Sequence, residues 1–226
     1  MKVYVVLHGQ TDFDAENLII GSGDPELNEF GKQQAQEIAK QLEGRGIDMI
    51  LAAPQNRTMD TAKIVAEGIG FDPARIAKGI QLFERSFGSY EGKPKSEVDM
   101  RVYSSWFGRT TQPNVETIKA TANRVIAYMN NMVKIFRTKT MLLVVPEQVA
   151  IVLYWFFNGL PEFGKEYILA AEAGKVYEFD TDTIPDGIKN YNPAITTLEK
   201  AEDDPGRLLS QDEIDALVSE LTSGAT

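Results

Sequence analysis

The chain has 226 residues, which suits one α/β domain of about 200 residues with an appendage. Its net charge of −10 argues against nucleic acid as a partner, because a nucleic-acid binder needs a basic surface. Cysteine is absent, which excludes disulfides and thiolate metal sites and favours a reducing compartment. We find neither a signal-peptide pattern nor an apolar run of spanning length, so we expect a cytoplasmic protein without a membrane partner.

Hydrophobic patterning predicts strands that alternate with helices along the first 180 residues. Short, largely apolar runs, β-branched at residues 3–7, predict strands at 3–7, 48–52, 141–145 and 175–180. Apolar residues at helical spacing predict helices at 28–43, 56–68, 115–136 and 149–158. This alternation indicates an α/β fold, a three-layer αβα sandwich with a mostly parallel sheet.

Composition divides the chain into three parts. We predict that residues 1–182 form the α/β domain, and that residues 183–206, rich in Pro, Gly, Asn and Asp, form an acidic linker. Residues 207–223 have the pattern of an amphipathic helix. Ligands of parallel sheets bind beyond the carboxyl ends of the strands. His8, Pro54 and Pro146 all follow predicted strands, so we expect the functional site at that edge.

Four segments carry a family resemblance. In order they are Leu-His-Gly-Gln-Thr at 7–11, Gly-Asp-Pro-Glu-Leu-Asn at 23–28, residues 53–62 and residues 82–92. Together they resemble the histidine phosphatase (phosphoglycerate mutase-like) superfamily over residues 1–180. The resemblance implies a phosphoglycerate mutase-like fold, with His8 as the nucleophile that becomes phosphohistidine. It implies Glu84 as the proton donor, Arg57 as a phosphate ligand, and a lid around 93–113; no metal or other cofactor is expected. Glu84 could alternatively be a solvated loop carboxylate.

The sequence departs from the family pattern at four positions of the phosphate site. Leu7 replaces the Arg before the nucleophile, Asp14 replaces an Asn, Pro146 replaces the second His, and Glu147 replaces the Gly after it. These changes remove a guanidinium clamp and an imidazole and add negative charge where a dianion should bind. We therefore expect a pseudoenzyme with little or no phosphatase or mutase activity, and we hypothesise that Arg57 pairs with Asp14 or Glu147.

Two alternatives remain open from the sequence. One is an active phosphohydrolase or phosphomutase that uses His8 on a phosphate ester. The other is a non-catalytic sensor that binds a non-phosphate ligand in the pocket that corresponds to the family's phosphate site.

The acidic C-terminal segment has the features of a docking motif. Ser210 and Glu213 have the spacing of a capping box, Leu209 and Ile214 have that of a hydrophobic staple, and Ile214, Leu217, Val218 and Leu221 are expected to form an apolar stripe. This helix could pack on its own domain, or on a twofold mate in a homodimer. Residues 209–217 are also similar to the N-terminal peptide of the flagellar motor switch protein. That resemblance implies a bacterial chemotaxis response regulator as partner of residues 208–221, with Asp212, Glu213 and Asp215 facing its basic residues.

Overall fold

The computed structural model describes residues 1–99, 102, 112, 114–160 and 171–191. The predicted C-terminal helix (207–223), most of the predicted lid (93–113) and the larger part of the predicted linker (183–206) lie outside the described residues. Residues Met1–Lys189 form one compact unit, which extends seven residues past the predicted boundary at 182. In the described stretches, no helix is both long enough and apolar enough to span a bilayer.

Within the described residues, five strands form one sheet. They are β1 (Lys2–Leu7), β2 (Met49–Ala52), β3 (Ala77–Lys78), β4 (Met141–Val145) and β5 (Tyr177–Asp180). The strand order is β3-β2-β4-β1-β5, and every neighbouring pair is parallel except β1 with β5. The predicted mostly parallel α/β sheet is thereby confirmed. Strand β3 was not predicted, because its two residues are exposed and carry no hydrophobic signal.

Helices cover both faces of this sheet. They are α1 (Asp12–Ala15), α2 (Glu29–Leu42), α3 (Asn56–Gly68), α4 (Ile118–Ile135), α5 (Glu147–Asn158) and α6 (Asp186–Lys189). Short 3₁₀ turns lie at Pro73–Arg75, Ile80–Leu82, Gly88–Tyr90, Lys95–Glu97 and Thr181–Thr183. On one face α2 and α3 bury a continuous apolar cluster that includes Tyr4, Val6 and Val144. Alternate residues of β1 point to the opposite face, where α5 packs on β1 and α4 packs on α5.

Local sequence explains where the main helices begin. The Asn28 side chain accepts a hydrogen bond from Gly31 N at 2.9 Å and caps α2, and Thr117 caps α4 through Ala120 N at 3.1 Å. Helix α4 begins at Ile118, three residues later than predicted, because Val115 instead forms a β-bridge with Phe87. Helix α5 begins at Glu147, two residues earlier than predicted, with Pro146 as its N-cap.

The end of β1 passes unusually close to α2. A Cβ atom added to Gly9 would lie 2.2 Å from the carbonyl oxygen of Gly31, and one added to Gly31 would lie 2.1 Å from the carbonyl oxygen of Gln10. Only glycine fits such a backbone approach. The two glycines therefore fix the position of the turn that carries His8.

Candidate active site

The predicted functional edge is present in the structure. His8 directly follows β1, Pro146 and Glu147 follow β4, and Ala53 and Pro54 follow β2, all at the carboxyl ends of parallel strands. A pocket opens there, lined by His8, Asp14, Leu18, Ile20, Gly21, Glu84, Phe87, Lys95, Glu147 and Gln148. Among the residues whose positions are described, no group of three or more His, Asp or Glu side chains is arranged to hold a metal ion.

The imidazole of His8 is held in one orientation. Its side chain is buried, with 5% of its surface exposed, and Nδ1 lies 2.8 Å from the carbonyl oxygen of Gly9. A carbonyl only accepts hydrogen bonds, so we assign the proton to Nδ1, which leaves a lone pair on Nε2. The turn itself is fixed because Gly9 N donates to Thr61 Oγ1 at 2.9 Å. The ring is therefore in the tautomer that a nucleophilic histidine needs.

Burial keeps that imidazole neutral. Desolvation lowers the pKa of His8 below its ordinary value of 6.5, and the positive charge of Arg57 lowers the pKa further. The negative charges of Asp14 and Glu147 act in the opposite direction, but they do not reverse the shift. His8 is consequently uncharged at neutral pH, as nucleophilic attack on phosphorus requires.

Glu84 is a buried carboxyl group at the same pocket. Only 6% of its surface is exposed, Oε1 accepts a hydrogen bond from Arg85 N at 2.8 Å, and Oε2 accepts one from Gln148 N at 3.4 Å. The alternative of a solvated loop carboxylate is therefore wrong. Burial raises the pKa of Glu84 to about 7, although the charge of Arg57 opposes the shift. A carboxyl group with that pKa is partly protonated at neutral pH and can donate a proton.

Arg57 is buried, but it does not line the pocket. Its Nη1 donates to the carbonyl oxygen of Gly23 at 2.6 Å, Nη2 lies 3.4 Å from the carbonyl oxygen of Gly21, and Asp24 Oδ1 is 3.6 Å from Nη1. Asp24 also accepts a hydrogen bond from Asn56 N at 2.8 Å, at the first turn of α3. The hypothesis that Arg57 pairs with Asp14 or Glu147 is wrong, because Asp24 and two loop carbonyls already hold the guanidinium.

The four replaced positions are integrated into the local structure. Leu7 is a buried core residue that pairs with Val145 across β1 and β4. Asp14 Oδ2 accepts hydrogen bonds from the Thr11 backbone N at 2.8 Å and from Thr11 Oγ1 at 2.7 Å, which completes a capping box at α1. Pro146 occupies the N-cap position of α5 without a side-chain hydrogen bond, and Glu147 Oε2 lies 2.7 Å from Lys95 Nζ. Each substitution therefore has a structural role, and none of them supplies a donor to a phosphate.

Two residues that shape the site were not predicted from the sequence. Lys95 brings an ammonium group to the pocket, and its only sequence signal is a basic residue three positions after the Glu91-Gly92 turn. Arg85 is buried, donates from Nη1 to Gln148 Oε1 at 3.2 Å and from Nη2 to the Val102 carbonyl at 2.7 Å, and lies 4.6 Å from the Phe87 ring centroid. It joins the segment beside Glu84 to the first turn of α5.

Curated relatives are mutases and phosphatases by name. The chain is 40% identical over 72 residues to a probable phosphoglycerate mutase GpmB of Cronobacter sakazakii, a match that covers 32% of this chain and only 34% of that protein. It is 28% identical over 192 residues to a 2,3-bisphosphoglycerate-dependent phosphoglycerate mutase of Bartonella bacilliformis, covering 79% of this chain and 92% of the relative. The first match thus spans about a third of the relative's length.

Solved structures share the fold at low sequence identity. Bacillus stearothermophilus YhfR superposes with a TM-score of 0.68 at 22% identity, covering 81% of this chain and 94% of that one. An Escherichia coli protein described as a putative alpha-ribazole-5'-P phosphatase gives 0.64 at 22% identity, over 80% of this chain and 90% of its own. The family described as "Histidine phosphatase superfamily (branch 1)" matches residues 3–183. This chain belongs to the histidine phosphatase superfamily.

Proposed function

We propose that this chain is a histidine phosphatase-fold pseudoenzyme, with little or no phosphatase or mutase activity, that acts as a binding or scaffold module. One observation carries the proposal: the cations Arg57 and Lys95 each form an ion pair with a carboxylate of the same chain. Arg57 faces Asp24, and Lys95 faces Glu147. Asp14 adds a further negative charge to the pocket lining.

The chemistry of phosphoryl transfer explains why this matters. The transferred group carries its charge on the equatorial oxygens, and the enzyme must offer preorganised cations or donors to them. Losing one such donor typically costs about 3–4 kcal/mol of transition-state stabilisation, or roughly 10²–10³ in rate. Leu7 and Pro146 each remove one, so even with strong non-additivity we expect a loss of about five decades or more.

A second candidate function is supported by His8 and Glu84. The Nε2 lone pair of a neutral His8 and a Glu84 carboxyl with a pKa of about 7 form a nucleophile and a proton donor that line one pocket. Relatives of this chain are named as mutases and phosphatases. The alternative is thus a weak phosphohydrolase or phosphomutase in which His8 becomes phosphohistidine.

Turnover of a generic aryl phosphate distinguishes the two candidates. The full chain and His8→Ala are compared under identical conditions, so that contaminating phosphatase appears equally in both. The pseudoenzyme proposal expects no rate above that of His8→Ala. Working enzymes commonly turn over at about 1–10³ per second, so a rate above about 1 per second that His8→Ala abolishes would contradict the proposal.

We further propose that the C-terminal segment docks a phosphorylated chemotaxis response regulator and that the protein works in the cytoplasm. Residues 208–221 lie outside the described residues, so the support is the sequence: the similarity of 209–217 to the motor switch peptide and the apolar stripe of Ile214, Leu217 and Val218. An acidic segment after a polar linker suits a portable docking motif.

Binding of the full chain to a chemotaxis response regulator tests this second proposal. Affinity is measured with and without a phosphoryl mimic on the regulator, for the natural sequence and for Ile214→Ala, with Thr222→Ala as a matched control outside the stripe. We expect micromolar binding that depends on the mimic and on Ile214 but not on Thr222. No binding at about 100 μM would refute the docking proposal.

A further inference from the structure

An ion pair spans the pocket between two elements that are distant in sequence. Lys95 begins the 3₁₀ turn Lys95–Glu97, and Glu147 is the first residue of α5. Lys95 Nζ lies 2.7 Å from Glu147 Oε2, and both side chains line the pocket together with His8 and Glu84. The backbone fixes the turn from its other side, since Lys95 N donates to the carbonyl oxygen of Asn17 at 3.0 Å.

The pair is only partly exposed to solvent. The side chains of Lys95 and Glu147 are 27% and 35% accessible, so water screens their attraction less than it would on an open surface. The carboxylate of Glu147 also lies in the first turn of α5, where the helix dipole favours negative charge. Glu147 thus offsets the positive potential of Lys95 and of the α5 N-terminus, which would otherwise attract an external anion into this pocket.

We propose that Glu147 is an internal counter-anion, which competes with phosphoryl ligands for Lys95 and keeps the pocket closed to phosphate monoesters. This inference rests on the proposed function, because it names the contact that keeps the pocket from binding its family's class of ligand. A carboxylate tethered in the same chain acts at a high effective concentration, so a dissolved dianion must displace it before reaching Lys95.

Charge removal at Glu147 should therefore open the pocket in a Lys95-dependent way. Glu147→Gln keeps the shape of the side chain and removes its charge. We expect it to bind inorganic phosphate roughly 10-fold tighter than the natural sequence, the equivalent of one unit charge removed beside a dianion at a partly screened distance. The double variant Lys95→Met with Glu147→Gln should lose that gain.

Calorimetric titration of the full chain with inorganic phosphate tests the proposal. Four proteins are compared: the natural sequence, Glu147→Gln, the double variant, and Glu97→Gln, which removes an exposed carboxylate from the same 3₁₀ turn outside the pocket lining. The proposal is supported if Glu147→Gln binds inorganic phosphate more tightly than each of the other three proteins. Equal affinity in Glu147→Gln and Glu97→Gln, a gain that persists without Lys95, or no detectable binding to Glu147→Gln would each overturn it.

The chain offers a second readout at the pocket itself. His8 is the only histidine, so its ring protons give an unambiguous NMR signal. Phosphate bound between Lys95 and His8 should shift that signal in Glu147→Gln at phosphate concentrations that leave the natural sequence unchanged. Neither measurement uses turnover. A natural chain that hydrolyses aryl phosphate would defeat the proposed function, whereas the phosphate titrations alone decide the role of Glu147.

Discussion

Replacing Glu84 by Gln should stabilise the protein at alkaline pH and not at acidic pH. The Glu84 carboxyl is buried and its pKa rises to about 7 on folding, chiefly because burial disfavours its charged form. Below pH 4.5 the group is protonated in both the folded and the unfolded chain, so it has no pH-linked effect. Between pH 4.5 and about 7 only the unfolded chain ionises, so the free energy of unfolding falls as the pH rises.

The size of the effect follows from the two pKa values. A rise from 4.5 to about 7 corresponds to roughly 3 kcal/mol, at 1.36 kcal/mol per pKa unit, and this cost is fully present above pH 7. Glutamine never ionises and so avoids it. The amide oxygen can accept from Arg85 N or Gln148 N but not from both, which costs about 1 kcal/mol at every pH. We expect a net stabilisation of about 2 kcal/mol at pH 8.

Urea unfolding at pH 5 and pH 8 measures this difference. The natural sequence, Glu84→Gln and Glu97→Gln are compared, and the exposed Glu97 variant should change stability by less than about 0.5 kcal/mol at either pH. Relative to the natural sequence, Glu84→Gln should be about 2 kcal/mol more favourable at pH 8 than at pH 5. A stability difference that stays the same at both pH values would refute the raised pKa, and with it the interpretation of Glu84 as a group able to donate a proton.

Two further predictions concern the turn after β1. Gly9→Ala should destabilise the fold by about 2 kcal/mol or more in thermal unfolding, because the added Cβ would lie 2.2 Å from the carbonyl oxygen of Gly31. The control Gly187→Ala, whose added Cβ would meet nothing within 4 Å, should change stability by less than about 0.5 kcal/mol. Equal effects of the two substitutions would contradict the close approach at Gly9. The NMR titration of His8 should give a pKa below 6.5, and Asp14→Asn should lower that pKa further because the Asp14 charge raises it; a pKa of 6.5 or higher would contradict the lowering by burial.

The sheet was predictable to the extent that its strands are buried. Strands β1 and β4 consist of apolar runs that are buried along almost their whole length, so composition alone located them within a residue. Strand β3 was missed because Ala77 and Lys78 are exposed and form a strand only through pairing with Leu51 and Ala52. The early start of α5 was missed because a proline and a glutamate interrupt the apolar pattern.

The site was predictable as a set of residues but not as a set of contacts. Motif spacing identified His8 and Glu84, and the structure brings both to one pocket. The partner of Arg57 was predicted wrongly, because the choice of Asp24 depends on the path of the loop at 21–24. The contact of Lys95 with Glu147 joins residues 52 positions apart, and no local pattern in the sequence indicates that they meet.

The central claim is that this pocket, which lacks the family's clamp Arg and second His and in which Arg57 and Lys95 are paired with carboxylates of the chain, does not transfer a phosphoryl group to His8. Intact-protein mass spectrometry after incubation with an excess of a phosphomonoester, under alkaline conditions that preserve phosphohistidine, tests it directly. We predict that the natural sequence and His8→Ala both remain unmodified. A phosphoryl adduct that forms on the natural sequence and is absent from His8→Ala would contradict the claim.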